Sequence, residues 1–370
     1  MSQNRSVEID KSFESEPPMS EWLKFISQNH ASDFHIGEGV CPSMRVDAAL
    51  VYLSQKPFSF EYTMRLLRET TTAERLKNFE RDKELDYSFG VPNIGRFRAN
   101  LFYQRGSLGA AIRALPFIPM TFDDIGFPTR VAEFLVSKPS GLILVTGPTG
   151  SGKTTTLAAM IDYINEHQAC HIVTIEDPIE FIFKNKQAKV SQREVGADTT
   201  SFAQALKHVL RQDPDVILVG EMRDLETVEI ALTVAETGHL VFATLHTPDA
   251  VQSVNRIIDV FPSHQQQQVR VQLSFVLQAI ISQQLLPKQG GGLCMAPEIL
   301  IATPAMRTMI RDSKSHQIYS AVQMGQKEGM KTLNMSLVEL VRSGKVDREE
   351  ALARSMDILE FDRLLTSRDK

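Results

Sequence analysis

The sequence predicts an α/β protein of two folded units: an α+β domain with an antiparallel sheet, then an α/β domain of parallel strands with a helical C-terminal region. Three observations predict it. Strand-like stretches at 84–90, 95–104 and 108–115 follow one another through short turns, as strands of an antiparallel sheet do. From about residue 141, short apolar runs alternate with helical segments, the pattern of buried parallel strands joined by crossover helices. One of those runs leads straight into a glycine-rich loop and a helix.

Residues 1–18 are polar and acidic, end in Pro17-Pro18 and read as a tail. The domain at 19–115 opens with EWLKFISQN, whose Trp22, Phe25 and Ile26 have helical spacing. Residues 33–53 suggest a hairpin around Gly37-Glu38-Gly39, and 61–80 a helix with Met64, Leu66, Leu67, Leu76 and Phe79 on its apolar side. Pro116 and Pro119 mark a linker at 116–120, because proline removes a backbone donor and disfavours regular structure before it. The α/β core is expected over 121–290, with strands at Leu142–Val145, Ile172–Ile175, Val216–Val219 and Leu240–Ala243. From about 264 the chain reads as mostly helical, with 291–370 as the C-terminal helical region.

Bulk properties narrow the function. A length of 370 residues suits two or three folded units. With 42% hydrophobic and 23% charged residues there is material for sizeable cores. The net charge of -5 argues against a large phosphate-tracking surface, so no nucleic-acid partner is expected. Three cysteines, Cys41, Cys170 and Cys294, make neither a disulfide framework nor a four-thiolate zinc site. No secretory signal and no apolar run of roughly 18 residues is found, so a cytoplasmic protein is expected, with any membrane role exercised through partners.

The loop Gly147-Pro148-Thr149-Gly150-Ser151-Gly152-Lys153-Thr154 has the G-x-x-x-x-G-K-[ST] pattern in its strand-to-helix context. Its glycines let backbone N–H groups approach phosphate oxygens, and the following helix, which continues through Thr155, points its positive end at the same anion. Lys153 can reach the β- and γ-phosphates, and Thr154 is placed to bind Mg²⁺ directly. ATP or GTP would both satisfy this loop. Glu221 ends the apolar strand Val216–Val219 and is the expected general base; Glu176-Asp177, with Glu180 beyond, ends another strand. Both sets should reach one crevice at the strand ends, Glu221 and Glu176 touching Mg²⁺ through water. His239 and His246 flank Leu240–Ala243 and are expected to sense the γ-phosphate, having no cysteine nearby for a zinc site.

GPTGSGKT (147–154), TIEDPIEF (174–181), QREVGADTTSF (192–202), DPDVILVGEMRDLET (213–227) and AETGHLVFATLHT (235–247) together closely resemble the type IV pilus and type II secretion ATPases over about residues 20–350. Within that superfamily the retraction branch fits best: Ala305–Asp312 stands where the branch has AIRNLIRE, departing at several positions, with Arg307 and Arg311 four apart on one helical face. The resemblance implies a PAS-like first domain, a RecA-like P-loop ATPase second domain and a homohexameric ring. It implies that ATP and Mg²⁺ power pilus retraction and twitching motility. Arg98 and Arg113 match family arginines that approach nucleotide. Implied partners are an inner-membrane pilus platform protein, on which the ring docks peripherally, and a paralogous retraction ATPase. The alternatives are an accessory retraction ATPase, or an extension or type II secretion ATPase, which carries a four-cysteine zinc module and an added N-terminal domain expected to be missing here.

Overall fold

The computed structural model describes residues 16–46, 49–115 and 119–367. The chain divides into two compact units, one of residues up to Ile118 with Glu180–Ile182, the other of Pro119–Ile179 and Phe183 onward. Most of the expected tail, and Pro116 of the expected linker, lie outside the described residues.

The first unit runs α1 (Met19–Gln28), β1 (Asp33–Gly37), β2 (Ser43–Val46), β3 (Ala49–Tyr52), α2 (Phe60–Arg68), α3 (Ala73–Asp82), β4 (Glu84–Val91), β5 (Gly95–Gln104) and β6 (Ser107–Ala114). Its six strands form one antiparallel sheet in the order β3-β2-β1-β6-β5-β4. Alternation along β5 sends Phe97, Ala99 and Leu101 into the core and Arg98 outward. Trp22 is fully buried; its Nε1 donates to the Tyr62 hydroxyl at 2.8 Å, which donates in turn to the Pro17 carbonyl at 2.8 Å. This chain satisfies both polar tips in the core, and it fixes Pro17, which the sequence had assigned to the tail.

The helix expected over 61–80 is two helices. Thr70 Oγ1 donates to the Leu67 carbonyl at 2.9 Å, and the Thr72 side chain accepts from Arg75 N to cap α3. Threonine side chains compete with the helical hydrogen bonds in this way, so the Thr70-Thr71-Thr72 run becomes a break.

The second unit runs α4 (Phe122–Ile125), α5 (Thr129–Val136), β7 (Gly141–Thr146), α6 (Lys153–His167), β8 (His171–Glu176), β9 (Lys189–Glu194), α7 (Phe202–Val209), β10 (Val216–Val219), α8 (Leu225–Glu236), β11 (Leu240–Leu245), α9 (Ala250–Asp259), α10 (Ser263–Val276), β12 (Leu277–Pro287), β13 (Leu293–Ile301), α11 (Pro304–Arg311), α12 (Ile318–Met324), α13 (Leu333–Arg342), α14 (Arg348–Arg354) and α15 (Ile358–Thr366). The seven strands are ordered β13-β12-β7-β11-β10-β8-β9, parallel throughout except for the β12–β13 pair. Every residue of β7, β10 and β11 is buried, which is why each reads as an unbroken apolar run. Register aligns Thr146 with Leu245, and Val219 with both Ala243 and Ile175. The carboxyl ends therefore share one edge of the sheet, where ligands of such folds bind.

The stretch expected to be helical from 264 holds two strands. β12 and β13 make an antiparallel hairpin turned through Gly290, Gly291 and Gly292, all with positive φ, so the expected boundary at 290/291 would cut a continuous hairpin. Ile280, Ile281, Ile299 and Ile301 are buried β-branched residues that favour strands. Leu286 of β12 and Ala296 of β13 then join Leu333, Leu337, Val338, Val346, Ala351 and Phe361 in a core that seats the C-terminal helices on the hairpin.

Candidate active site

The loop after β7 turns through three glycines of positive φ: Gly147 (140°), Gly150 (79°) and Gly152 (86°). A Cβ at Gly147 would lie 2.4 Å from the Gln283 carbonyl oxygen and 2.6 Å from Ser151 Oγ, so this position excludes any side chain. Pro148, Thr149 and Gly150 are exposed, whereas Gly147 and Ser151 are buried. Lys153, 9% exposed, folds back across the loop and its Nζ donates to the carbonyls of Gly147 and Pro148, each at 2.9 Å. Its charge thus sits where the loop meets the amino end of α6, a helix of 15 residues, and both favour an anion. Thr154 and Thr155 are half-buried in the first turn.

Beneath the loop, Gln283 Nε2 of β12 donates to the Ser151 carbonyl at 2.6 Å, and Thr146 Oγ1 lies 2.8 Å from Ser282 Oγ. Ser253 of α9 places its hydroxyl 3.4 Å from Thr146 Oγ1 and 2.6 Å from Thr247 Oγ1. The hydroxyls of Thr146, Ser282, Ser253 and Thr247 thereby link the base of the loop to the segment that carries His246. No feature of the sequence pointed to Gln283 or Ser253.

The carboxylates converge through a close approach at Gly220. Its N–H donates to the Ile175 carbonyl at 2.8 Å, and a Cβ there would lie 3.1 Å from that oxygen and 3.3 Å from Glu176 Cα. Glycine therefore lets the end of β10 lie against the end of β8, which puts Glu221 and Glu176 at the same edge. Glu221 Oε1 receives Arg223 Nε at 2.6 Å and lies 3.3 Å from His246 Nε2. Partial burial would raise its pKa, but the Arg223 hydrogen bond and the His246 and Arg223 charges outweigh it and hold the carboxyl below its ordinary value. Glu176 is 6% exposed; its Oε1 accepts from Thr174 Oγ1 at 2.6 Å and Gln192 Nε2 at 3.0 Å. One carboxylate is partly buried yet held ionised, the other is enclosed by donors. Glu194, also buried, accepts from Ile179 N at 3.1 Å and secures the turn after Asp177.

The two histidines lie at opposite ends of β11. His246 follows β11 at the loop edge, but His239 precedes the strand and its carbonyl accepts from Gly141 N at 3.0 Å, at the start of β7. Six strand residues at about 3.3 Å each put it some 20 Å from the phosphate loop. Its Nδ1 lies 3.1 Å from the Val234 carbonyl, a bond that serves the end of α8.

Arg98 and Arg113 belong to the first unit, directly opposite each other on β5 and β6. Arg113 Nε donates to Asp33 Oδ1 at 2.8 Å, and Arg98 Nε lies 3.9 Å from Asp86 Oδ1. Both are substantially exposed. On α11, Met306 and Ile310 are buried and Met309 half-buried, and the arginines differ: Arg307 bonds the Ala302 carbonyl at 3.1 Å and the Ser274 carbonyl at 2.8 Å, closing the end of α10, while Arg311 is exposed.

The segment after His246 also borders a cavity of about 230 Å³ lined by Pro248, Val251, Ile318, Val322, Leu333 and Met356, with Glu298 at its wall. Burial pushes the Glu298 carboxyl up to about 7, against hydrogen bonds from the backbone N–H groups of Ala250 and Leu333 and with Asp249 and Glu360 adding repulsion. The folded state therefore holds a proton that the unfolded chain has released. The stability this group contributes is full below the unfolded value of about 4.3, declines as pH rises towards 7 and is level above it. The difference is about 3 kcal/mol. Urea titrations should show Glu298→Gln matching the parent near pH 4.5 and exceeding it by about 2–3 kcal/mol at pH 8. Parallel pH profiles for the two proteins would contradict this.

The family described as type II/IV secretion system protein matches residues 16–349. The type IV pilus retraction ATPase PilT of Pseudomonas aeruginosa is 48% identical over 333 residues, covering 90% of this chain and 96% of that protein. The PilU pilus ATPase of the same organism is 38% identical over 90% of this chain and 87% of its own length. Among solved structures, the pilus retraction motor PilT with bound ADP superposes with a TM-score of 0.87 at 50% identity, over 94% of this chain and 99% of that one.

Proposed function

The chain belongs to the type II/IV secretion system protein family, and from that premise we propose that it is an ATP-hydrolysing motor subunit that drives type IV pilus retraction. The observation that carries this reading is the near full-length likeness to PilT, at higher identity than to PilU. The ADP-bound relative supports nucleotide binding by this chain.

ATP phosphates would enter the cradle of Gly147–Gly152, and Lys153 Nζ would exchange its two carbonyl partners for β- and γ-phosphate oxygens. The hard oxygen donors here suit Mg²⁺, with the Thr154 hydroxyl binding directly and Glu176 and Glu221 through water. Bound there, the ion neutralises phosphate charge. Glu221, held ionised by Arg223 and His246, accepts the proton of a water whose oxygen bonds the γ-phosphorus as the bond to the bridging oxygen breaks, leaving ADP and phosphate. His246 fixes the direction of that carboxylate. Arg98 and Arg113 supply positive charge to the nucleotide in a homohexameric ring, where such a cation is worth about 10³–10⁵ in rate.

Among the described residues no helix is long and apolar enough to cross a membrane. The ring is accordingly proposed to dock on an inner-membrane platform protein, alongside a paralogous retraction ATPase. Deleting the gene should leave cells with accumulated surface pili and no twitching. Retraction that survives its loss but not the loss of a paralogue would assign the main motor to the paralogue and the accessory role to this chain.

A further inference from the structure

Gln283 is 1% exposed and presses on the phosphate loop with both backbone and side chain. Its carbonyl excludes a side chain at Gly147, and its Nε2 would lie 3.2 Å from a Cβ at Gly152. Two of the three loop glycines therefore face this one residue. Its amide is used unevenly: Nε2 donates to the Ser151 carbonyl at 2.6 Å, while Oε1 is buried without a partner among the described residues, as is Ser151 Oγ. A buried amide that leaves an acceptor unmet is held in place by the bond it does make.

That bond has a direction. The Ser151 carbonyl and the Gly152 N–H share one planar trans peptide and point opposite ways, so fixing the carbonyl on Gln283 turns the Gly152 N–H away from β12. We propose that Gln283 is a positioning residue of the nucleotide site, which aims the Gly152 N–H into the phosphate cradle through its hold on the Ser151 carbonyl. The inference rests on the nucleotide reading of that loop. An N–H at this point serves a phosphate oxygen common to ATP and ADP, not one found only on the γ-phosphate.

Gln283→Met keeps length and volume and removes the donor. Titration of the full chain with fluorescent ATP and ADP analogues should show both dissociation constants raised about tenfold, with kcat at saturating ATP within about threefold of the parent and the melting temperature little changed. Gln283→Asn, whose amide is one methylene shorter, should show the same paired loss and carries the test if the methionine variant fails to fold. Unchanged affinities in the soluble variant, a loss confined to ATP, or a loss confined to kcat would each overturn the proposal. A parent protein that binds neither nucleotide would instead overturn the nucleotide reading itself.

Discussion

Glu221→Gln should reduce steady-state phosphate release by about 10²–10⁴, the range for removing a general base, equivalent to roughly 3–5 kcal/mol of barrier. ATP affinity should change by less than about threefold, since glutamine keeps the shape and the loop that holds the phosphates is untouched. The alternative base, Glu176, is already accepting from Thr174 and Gln192, so Glu176→Gln should cost less in rate than Glu221→Gln. The pH dependence adds a second check. The Glu221 pKa is lowered, so the ionised base is fully present above the ordinary carboxylate value and is lost only as pH falls through the depressed one. The parent rate should then show no acid limb from this group between about pH 8 and 5.5. Arg223→Ala removes the hydrogen-bonded cation and leaves burial opposed by His246 alone, moving that limb upward. Equal turnover in the parent and Glu221→Gln would dismiss Glu221 as the base.

The parts legible in the sequence are those whose cause is local. An apolar run such as Leu142–Val145 is buried on both faces by its own composition, and the glycines of the phosphate loop mark positive φ by residue type. The parts that escaped depend on residues far apart in the chain. Gln283 lies 132 residues from the carbonyl it holds, within an apolar stretch that fits strand and helix periods alike, so neither its strand nor its task could be read there. Glu298 resembles any acid between apolar residues until Ala250 and Leu333 close around it. The histidines show the opposite error. Six residues, the whole of β11, separate His239 from His246, so the strand holds them at opposite ends and one γ-phosphate in this chain meets only one of them.

Lys153→Ala should have the largest effect on binding. Its ammonium is nearly enclosed and already bonded to two carbonyls of the loop, so ATP gains a charge-assisted contact without ordering a free side chain. Hydrogen bonds to charged groups are worth about 1.5–3 kcal/mol each, and loss of one or two contacts to the β- and γ-phosphates predicts about 10–10⁴ weaker ATP binding. Hydrolysis should fall below detection at millimolar ATP. The same change removes the donor from the Gly147 and Pro148 carbonyls, so the nucleotide-free protein should also be less stable by about 1–2 kcal/mol. Lys153→Arg keeps the charge but replaces a compact ammonium with a wide planar fork in a space bounded by the loop, so it should rescue little of the binding. Calorimetric titration with ATP, set beside denaturant melts without nucleotide, separates the two consequences. ATP affinity close to that of the parent in Lys153→Ala would remove the lysine, and with it the phosphate loop, from the nucleotide site.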